Sequence, residues 1–378
     1  MKKIIAVAIA ALPMAAMADV EIYGQLEAAV EAGNTFGYGD VFNTNTRIDD
    51  TGSKIGFKGT EDLGNGLKAI WQVESYLSID GTDLNGDKRA NKFAGRDSFV
   101  GLQGDWGKVR LGRLSTYQND SMERFDPWTY GAGVNGMSYT SANLLDSRID
   151  NAVRYDTPNL NGFKASVLYG TDENRYTTAS GERSNSSVWN IGAGYEYAGY
   201  YVDAGYTYWG DANGAAEATK GGDKSANYWR LEGGYAANNL LVALAYGQSK
   251  TYGYKLFGEA MSSTGILNAS ADQYGTITPG DKVQAKELAL TVAYTMGNFT
   301  PRFSYARVFD INVTKGGVKK DYANNSIDQF VLGVDYALSK RTMAYASYGY
   351  VSHDATYAAG TDTKDNENTF ALGLVHKF

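Results

Sequence analysis

The charged residues of this chain alternate with apolar ones, a spacing that suits electrostatic work on small solutes better than bond-making chemistry. GKVRLGRL (107–114) and RIDNAVRYD (148–156) read as strands, and the segment 115–147 around their junction is too long for an ordinary hairpin connection. Glu123 and Asp126 lie on that segment, while Arg110, Arg148 and Arg154 lie on the flanking strands, on the face opposite the apolar residues. Acid on a loop and base on the wall beside it would set up a transverse field, which orients polar solutes and penalises apolar ones. The same parity turns Lys54 and Lys58 to that face, because Ile55 and Phe57 occupy the other. Lys164, Arg230 and Arg302 follow, and are expected only to solvate the interior. Arg113 has the opposite parity but sits at a strand end where the chain bends, and it joins the candidates on that ground.

Catalysis finds little support. The two histidines, His353 and His376, stand apart, and metal or triad chemistry needs more convergence; a rim site of His353 with Asp354 is the only such pairing. Gly192-Ala193-Gly194 falls within a strand rather than at a strand-to-helix turn, so no phosphate cradle is implied. A net charge of −7 leaves no basic footprint for nucleic acid. The expectation is a chain with no catalytic residue, metal or cofactor.

The elements that must position these charges are strands. After MKKIIAVAIAALPMAAMA, which has the charged, apolar and small-residue parts of a secretory signal, residues 1–18 are expected to be removed, leaving 19–378 as one domain. With 0 cysteines, a fold exported this way holds without disulfides. No later stretch approaches the roughly 18 apolar residues of a spanning helix. Yet the sequence holds 29 tyrosines, 14 phenylalanines and 45 glycines, and strands that alternate between lipid and water have low mean hydropathy even inside a membrane. Trp71, Trp106, Tyr169, Tyr197 and Tyr246, near strand ends, suit interfacial girdles.

Some sixteen such segments follow one another, joined alternately by short turns such as Asn65-Gly66 and Asn238-Asn239 and by long polar gaps. The prolines of 19–378 avoid strand interiors. This is the pattern of an all-β, 16-stranded antiparallel transmembrane β-barrel, closed so that no backbone group is left unpaired in lipid. Sixteen tilted strands enclose a lumen about 30 Å across, and the segment 115–147 is long enough to cross it and return.

Ile22-Tyr23-Gly24, SKIGFKGTEDLGNGLKAIWQVE, FVGLQGDWGKVRLGR, NAVRYDTPNLNGF and the C-terminal ALGLVHKF resemble the trimeric general porins of Gram-negative outer membranes, particularly their betaproteobacterial branch. The resemblance implies a 16-stranded barrel whose third external loop, here 115–147, folds into the lumen, with Glu123 and Asp126 as its acids. It implies passive diffusion of ions and small hydrophilic solutes, and a homotrimer in outer-membrane lipid. It also implies an assembly signal, read by the barrel-assembly machinery, ending in Phe378. The Pro-Glu-Phe-Gly-Gly loop motif of enteric members is absent. The base-rich wall suggests a mild anion preference; a substrate-selective channel, or a surface barrel whose loops act as adhesin or receptor, are the alternatives.

Overall fold

The computed structural model describes residues 19–33, 46–81, 93–128, 147–171, 173, 181, 185–211, 224–252, 280–321, 326–356 and 362–378. The expected signal at 1–18 and residues 129–146 of the long loop lie outside these, and so does the side chain of His353.

The strands are β1 (Asp19–Gly33), β2 (Thr46–Asp50), β3 (Lys54–Gly64), β4 (Leu67–Tyr76), β5 (Ser98–Gly104), β6 (Gly107–Ser115), β7 (Arg148–Asp156), β8 (Phe163–Gly170), β9 (Val188–Tyr197) and β10 (Tyr200–Trp209). They continue as β11 (Ala226–Ala237), β12 (Leu240–Tyr252), β13 (Lys282–Tyr294), β14 (Phe299–Val308), β15 (Asn312–Lys315), β16 (Val318–Asp321), β17 (Ile327–Ala337), β18 (Thr342–Thr356) and β19 (Asp362–Lys377). One short helix, α1 (Tyr117–Ser121), follows β6.

Three staves of the wall are each built from two of these segments. β2 and β3 both pair with β1 and are separated where Asp50 Oδ1 accepts from the amides of Gly52 (2.9 Å) and Ser53 (2.7 Å), a local turn that interrupts the ladder. β14 and β15 both pair with β13, while β16 and β17 return beside them. The nineteen segments therefore make 16 antiparallel staves, as the alternation of polar and apolar residues predicts. The first and last staves close the wall from Gln25↔Lys377 to Gly33↔Thr369. Phe378 completes the seam, exchanging two 3.1 Å backbone hydrogen bonds with Gly24.

Short turns sit at one rim. Asn65 (φ 54°) and Gly66 (φ 77°), Ala198 (φ 52°) and Gly199 (φ 85°), and Asn238 (φ 53°) and Asn239 (φ 65°) all take the left-handed conformation that tight hairpins demand. The long connections leave from the other rim.

Burial is inverted relative to a water-soluble protein. Val100, Ile191 and Leu332 are about 60% exposed, whereas Arg230, Glu232 and Thr291 are buried. Exposed apolar residues alternate with buried ones that are polar or small on many staves, as in β10, where Val202 is exposed and Asp203 buried. A surface this apolar is stable only in lipid, and the hydrogen-bonded closure leaves the wall without an edge. Aromatic pairs band both rims: Tyr200 with Tyr235 (4.9 Å) and Phe299 with Tyr336 (4.7 Å) near the short turns, and Tyr169 with Trp189 (4.6 Å) and Trp229 with Tyr246 (5.5 Å) towards the long connections.

Candidate functional site: a loop segment docked on the inward side chains

Residues 116–128 leave β6 and pack on inward-facing side chains. Thr116 caps α1, its hydroxyl accepting from the Asn119 amide (3.3 Å), and the next two residues enter a recess in the wall. The Tyr117 amide donates to Asn190 Oδ1 (2.8 Å) and the Tyr117 hydroxyl to Asp203 Oδ1 (2.6 Å). Gln118 accepts from Asn190 Nδ2 (2.6 Å) and donates to the Thr207 hydroxyl (3.3 Å). The recess exists because the wall lacks side chains there. A Cβ on Gly192 would lie 2.1 Å from the Tyr117 ring, and one on Gly205 would lie 2.6 Å from the Gln118 amide carbon.

Arginines fasten the segment at both ends and in the middle. Arg154 donates to the Ser115 carbonyl (2.6 Å) and grips Asp120 with both terminal nitrogens (2.8 and 3.2 Å), while also pairing with Asp156 (2.7 Å). Arg110 pairs with Asp156 (2.8 Å) and stacks on Phe99. Arg230 donates to the carbonyls of Gln118 (2.6 Å) and Met122, and its guanidinium lies 4.9 Å from the centre of the Phe125 ring. Arg124 pairs with Glu196 (2.5 Å). Thr291 donates to the Phe125 carbonyl, and Arg302 to that of Pro127. Trp128 ends the described run, its indole N–H on the Ser304 hydroxyl (2.8 Å) and its ring 4.3 Å from the Arg302 guanidinium.

Of the two acids expected on the loop, Glu123 has an exposed side chain. Asp126 is half-buried, its Oδ1 accepting from the Trp128 amide (3.3 Å). Desolvation pushes its carboxyl up to about 7, against the opposing pull of that amide and of Arg302 and Arg230. Burial likewise raises the Tyr117 phenol, whose hydrogen bond to Asp203 holds the proton in place.

A second cluster lies beside the start of the segment, where Asp97 accepts from the Ser115 amide (2.8 Å) and hydroxyl (2.7 Å). Lys54 lies in the field of Glu74, Arg96 and Arg148; Arg96 pairs with Glu74, whose other oxygen accepts from the Tyr23 hydroxyl (2.9 Å). Arg148 reaches Asp97 (3.7 Å) and the Tyr76 hydroxyl (3.4 Å). Lys58 pairs with Glu21 (3.1 Å) nearer the short-turn rim. Arg113 joins neither cluster. The β6–β7 register shifts between Gly112 and Leu114, and Arg113 donates to the Gly95 carbonyl (2.9 Å) and pairs with the exposed Asp150. The strand end bends there, as the sequence suggests, but the bend leaves Arg113 away from Arg110 and Arg154.

Sequence reading expected Arg230 and Arg302 only to solvate the interior; both bind the loop backbone. Asp120, Tyr117 and Gln118 were not singled out at all. The inward glycines 192, 194 and 205 are the one signal in the sequence that could have found them.

A closed wall, oily outside and lined within by charge, defines a transmembrane β-barrel channel. Comparison with known proteins makes the assignment specific. The family profile of Gram-negative porins matches residues 6–356. The major outer membrane protein P.IB of Neisseria meningitidis serogroup B is 35% identical over 384 residues, spanning 100% of this chain and 99% of that protein. Among solved structures, the anion-selective porin from Comamonas acidovorans superposes with a TM-score of 0.71 at 20% identity, covering 96% of this chain and 100% of the other. The trimer form of OmpT, an outer membrane protein of Vibrio cholerae, gives 0.59 at 15% identity over 96% and 99%. This chain belongs to the Gram-negative porin family. It is an outer-membrane protein that forms a channel for passive diffusion.

Proposed function

We propose that the docked segment makes the narrowest part of the channel, and that solutes pass between it and the wall it leaves uncovered. The observation behind this is the one-sidedness of the docking. Its described contacts fall on β6, β7, β9–β11, β13, β14 and, through Trp128 against Gly333, β17. None of the described contacts of residues 116–128 falls on β1, β3 or β4. Lys54 on β3 and Glu74 on β4 share one field with Glu27, Arg96 and Arg148, and Arg148 pairs with Asp97. Glu27 and Glu74 are buried whereas Lys54, Arg96 and Arg148 are part-exposed, so the solute meets mainly the cations. On the segment, Asp126 supplies the acid. That arrangement gives a general diffusion pore with a mild preference for anions.

On this reading Arg110 and Arg154 act by fixing the segment, since both are buried and matched by Asp156 and Asp120, while Lys54, Lys58 and Arg148 meet the solute. Glu123 contributes to the field at the mouth. The chain works as a homotrimer, an assembly named for the related OmpT form, after residues 1–18 have directed export and been removed; Phe378 marks the end of the assembly signal. Solutes pass without being transformed.

Liposome swelling tests the constriction. With wild-type protein the rate should fall steeply as neutral sugars grow, and removal of residues 117–128 should raise the size limit. An unchanged size limit would place the narrowest point elsewhere.

A further inference from the structure

A recess of about 410 Å³ lies in the lumen wall between Pro127 and the short turn at Asn239. Register sets its lining in two rows. Ala236 lies opposite Leu241, Leu241 opposite Ala293 and Ala293 opposite Arg302, so three of the four side chains at that level are apolar. One step nearer the rim, Thr300 lies opposite Asp335, and the Thr300 hydroxyl shares a 3.0 Å hydrogen bond with that of Thr295. Parity turns these strand residues inward, on the face that carries the buried Glu232, Ala243, Thr291, Ser304 and Val331.

The docked segment uses Arg302 and leaves the rest of the recess open. Arg302 is held on three sides, by the Pro127 carbonyl, by the Trp128 ring (4.3 Å) and by Asp335 (2.7 Å). Its side chain is only 4% exposed, and its Nε and Nη2 are sealed from solvent. A carboxylate entering the recess would therefore find no free donor on the guanidinium.

Asp335 is placed the other way. Its side chain is 15% exposed, and its Oδ1 touches Arg302 Nη2 without the alignment of a hydrogen bond. Among the described residues nothing donates to Oδ2, so the open side of the carboxylate is the recess. The Thr295 and Thr300 hydroxyls, which share one hydrogen bond, keep further acceptor capacity beside it.

We propose that this recess binds a small organic ammonium ion with an apolar body. The ammonium donates to Asp335 and the Thr300 hydroxyl, and the body lies on Ala236, Leu241 and Ala293. Small-molecule sites combine a mostly apolar lining with a few placed polar groups, and the two rows supply both. An inorganic cation would have no use for the apolar row, and an anion of the same size would face the carboxylate. The site is separate from the solute path proposed above and is read by binding, not by current.

Isothermal titration calorimetry of the purified, detergent-solubilised protein tests this with three probes. Tryptamine carries the charge and the body, indole-3-propionate the same body with the opposite charge, and methylammonium the charge alone. Wild type should bind tryptamine at one site per chain, at least about ten-fold more tightly than either of the others. Thr300→Val leaves the ion pair in place and should weaken tryptamine binding about five-fold. Asp335→Asn should weaken it roughly ten-fold, but it also releases Arg302. Ala293→Phe fills the apolar row, keeps every charge, and should weaken binding by about ten-fold or more. Unchanged binding in Ala293→Phe would overturn the proposal, as would indole-3-propionate binding as tightly as tryptamine. Methylammonium matching tryptamine would overturn it too, because the site would then be a bare counter-ion position.

Discussion

Gly192 lacks a side chain where Tyr117 needs the room. A Cβ there would lie 2.1 Å from the ring, so Gly192→Val should expel Tyr117, break its bond to Asp203 and weaken docking by roughly 1–3 kcal/mol. The barrel itself should still assemble. Single-channel recordings should show larger or noisier openings, and a conductance indistinguishable from wild type would argue against the recess. Asp126 sets a pH dependence whose sign follows from its environment. Docked, its carboxyl holds a proton up to about 7; in an undocked chain it loses that proton near the ordinary value of about 4. Docking therefore takes up a proton, is favoured at the acid end of that window, and weakens as pH rises through about 7. Over the same range the docked segment gains a negative charge, which on the proposed reading faces the solute path. Flicker should increase and anion preference should decline between pH 6 and pH 8 (round working values on either side of about 7), and Asp126→Asn should flatten the contribution of this group to both. The inward direction of Arg110, Arg154 and Lys54 was legible in the sequence because period two leaves a charged residue only one dry-side alternative. The partners of those charges were not, since Asp120 and Asp126 sit on a loop without periodicity.

At the scale of elements, the wall was legible and its interruptions were not. Strict alternation on β12 fixes which face meets lipid, and a charge placed there has no remedy at mid-depth. Leu244→Arg should cost about 2–4 kcal/mol in unfolding titrations of the folded protein in lipid vesicles, whereas a polar substitution at the inward Ser249 should cost far less. Equal costs at the two positions would mean the faces are misassigned. The breaks between β2 and β3 and between β14 and β15 escape a reading by periodicity, because each is made by a few residues turning locally, as Asp50 does. Docking of α1 escapes it for another reason. A five-residue helix carries no amphipathic pattern, and its anchors lie far along the chain, Asn190 73 residues from Tyr117 and Ser304 176 residues from Trp128.

For the whole molecule, closure turns alternation into function: once the first and last staves pair, one face of every strand is sealed from lipid and can be wet and charged at no cost in membrane stability. On the proposed reading the loop segment divides that wet interior into a wall covered by residues 116–128, fastened by Arg154, Arg230 and Arg302, and an uncovered one bearing Lys54, with Arg96 and Arg148 beside it. The most direct measurement of this account is the reversal potential of the purified protein in a planar bilayer under a salt gradient, compared between wild type and the double variant Lys54→Gln with Arg148→Gln. The account predicts a steady ion current that reverses on the anion-preferring side in wild type and shifts towards cations in the variant. No current, or a reversal potential unmoved by the two substitutions, would contradict it.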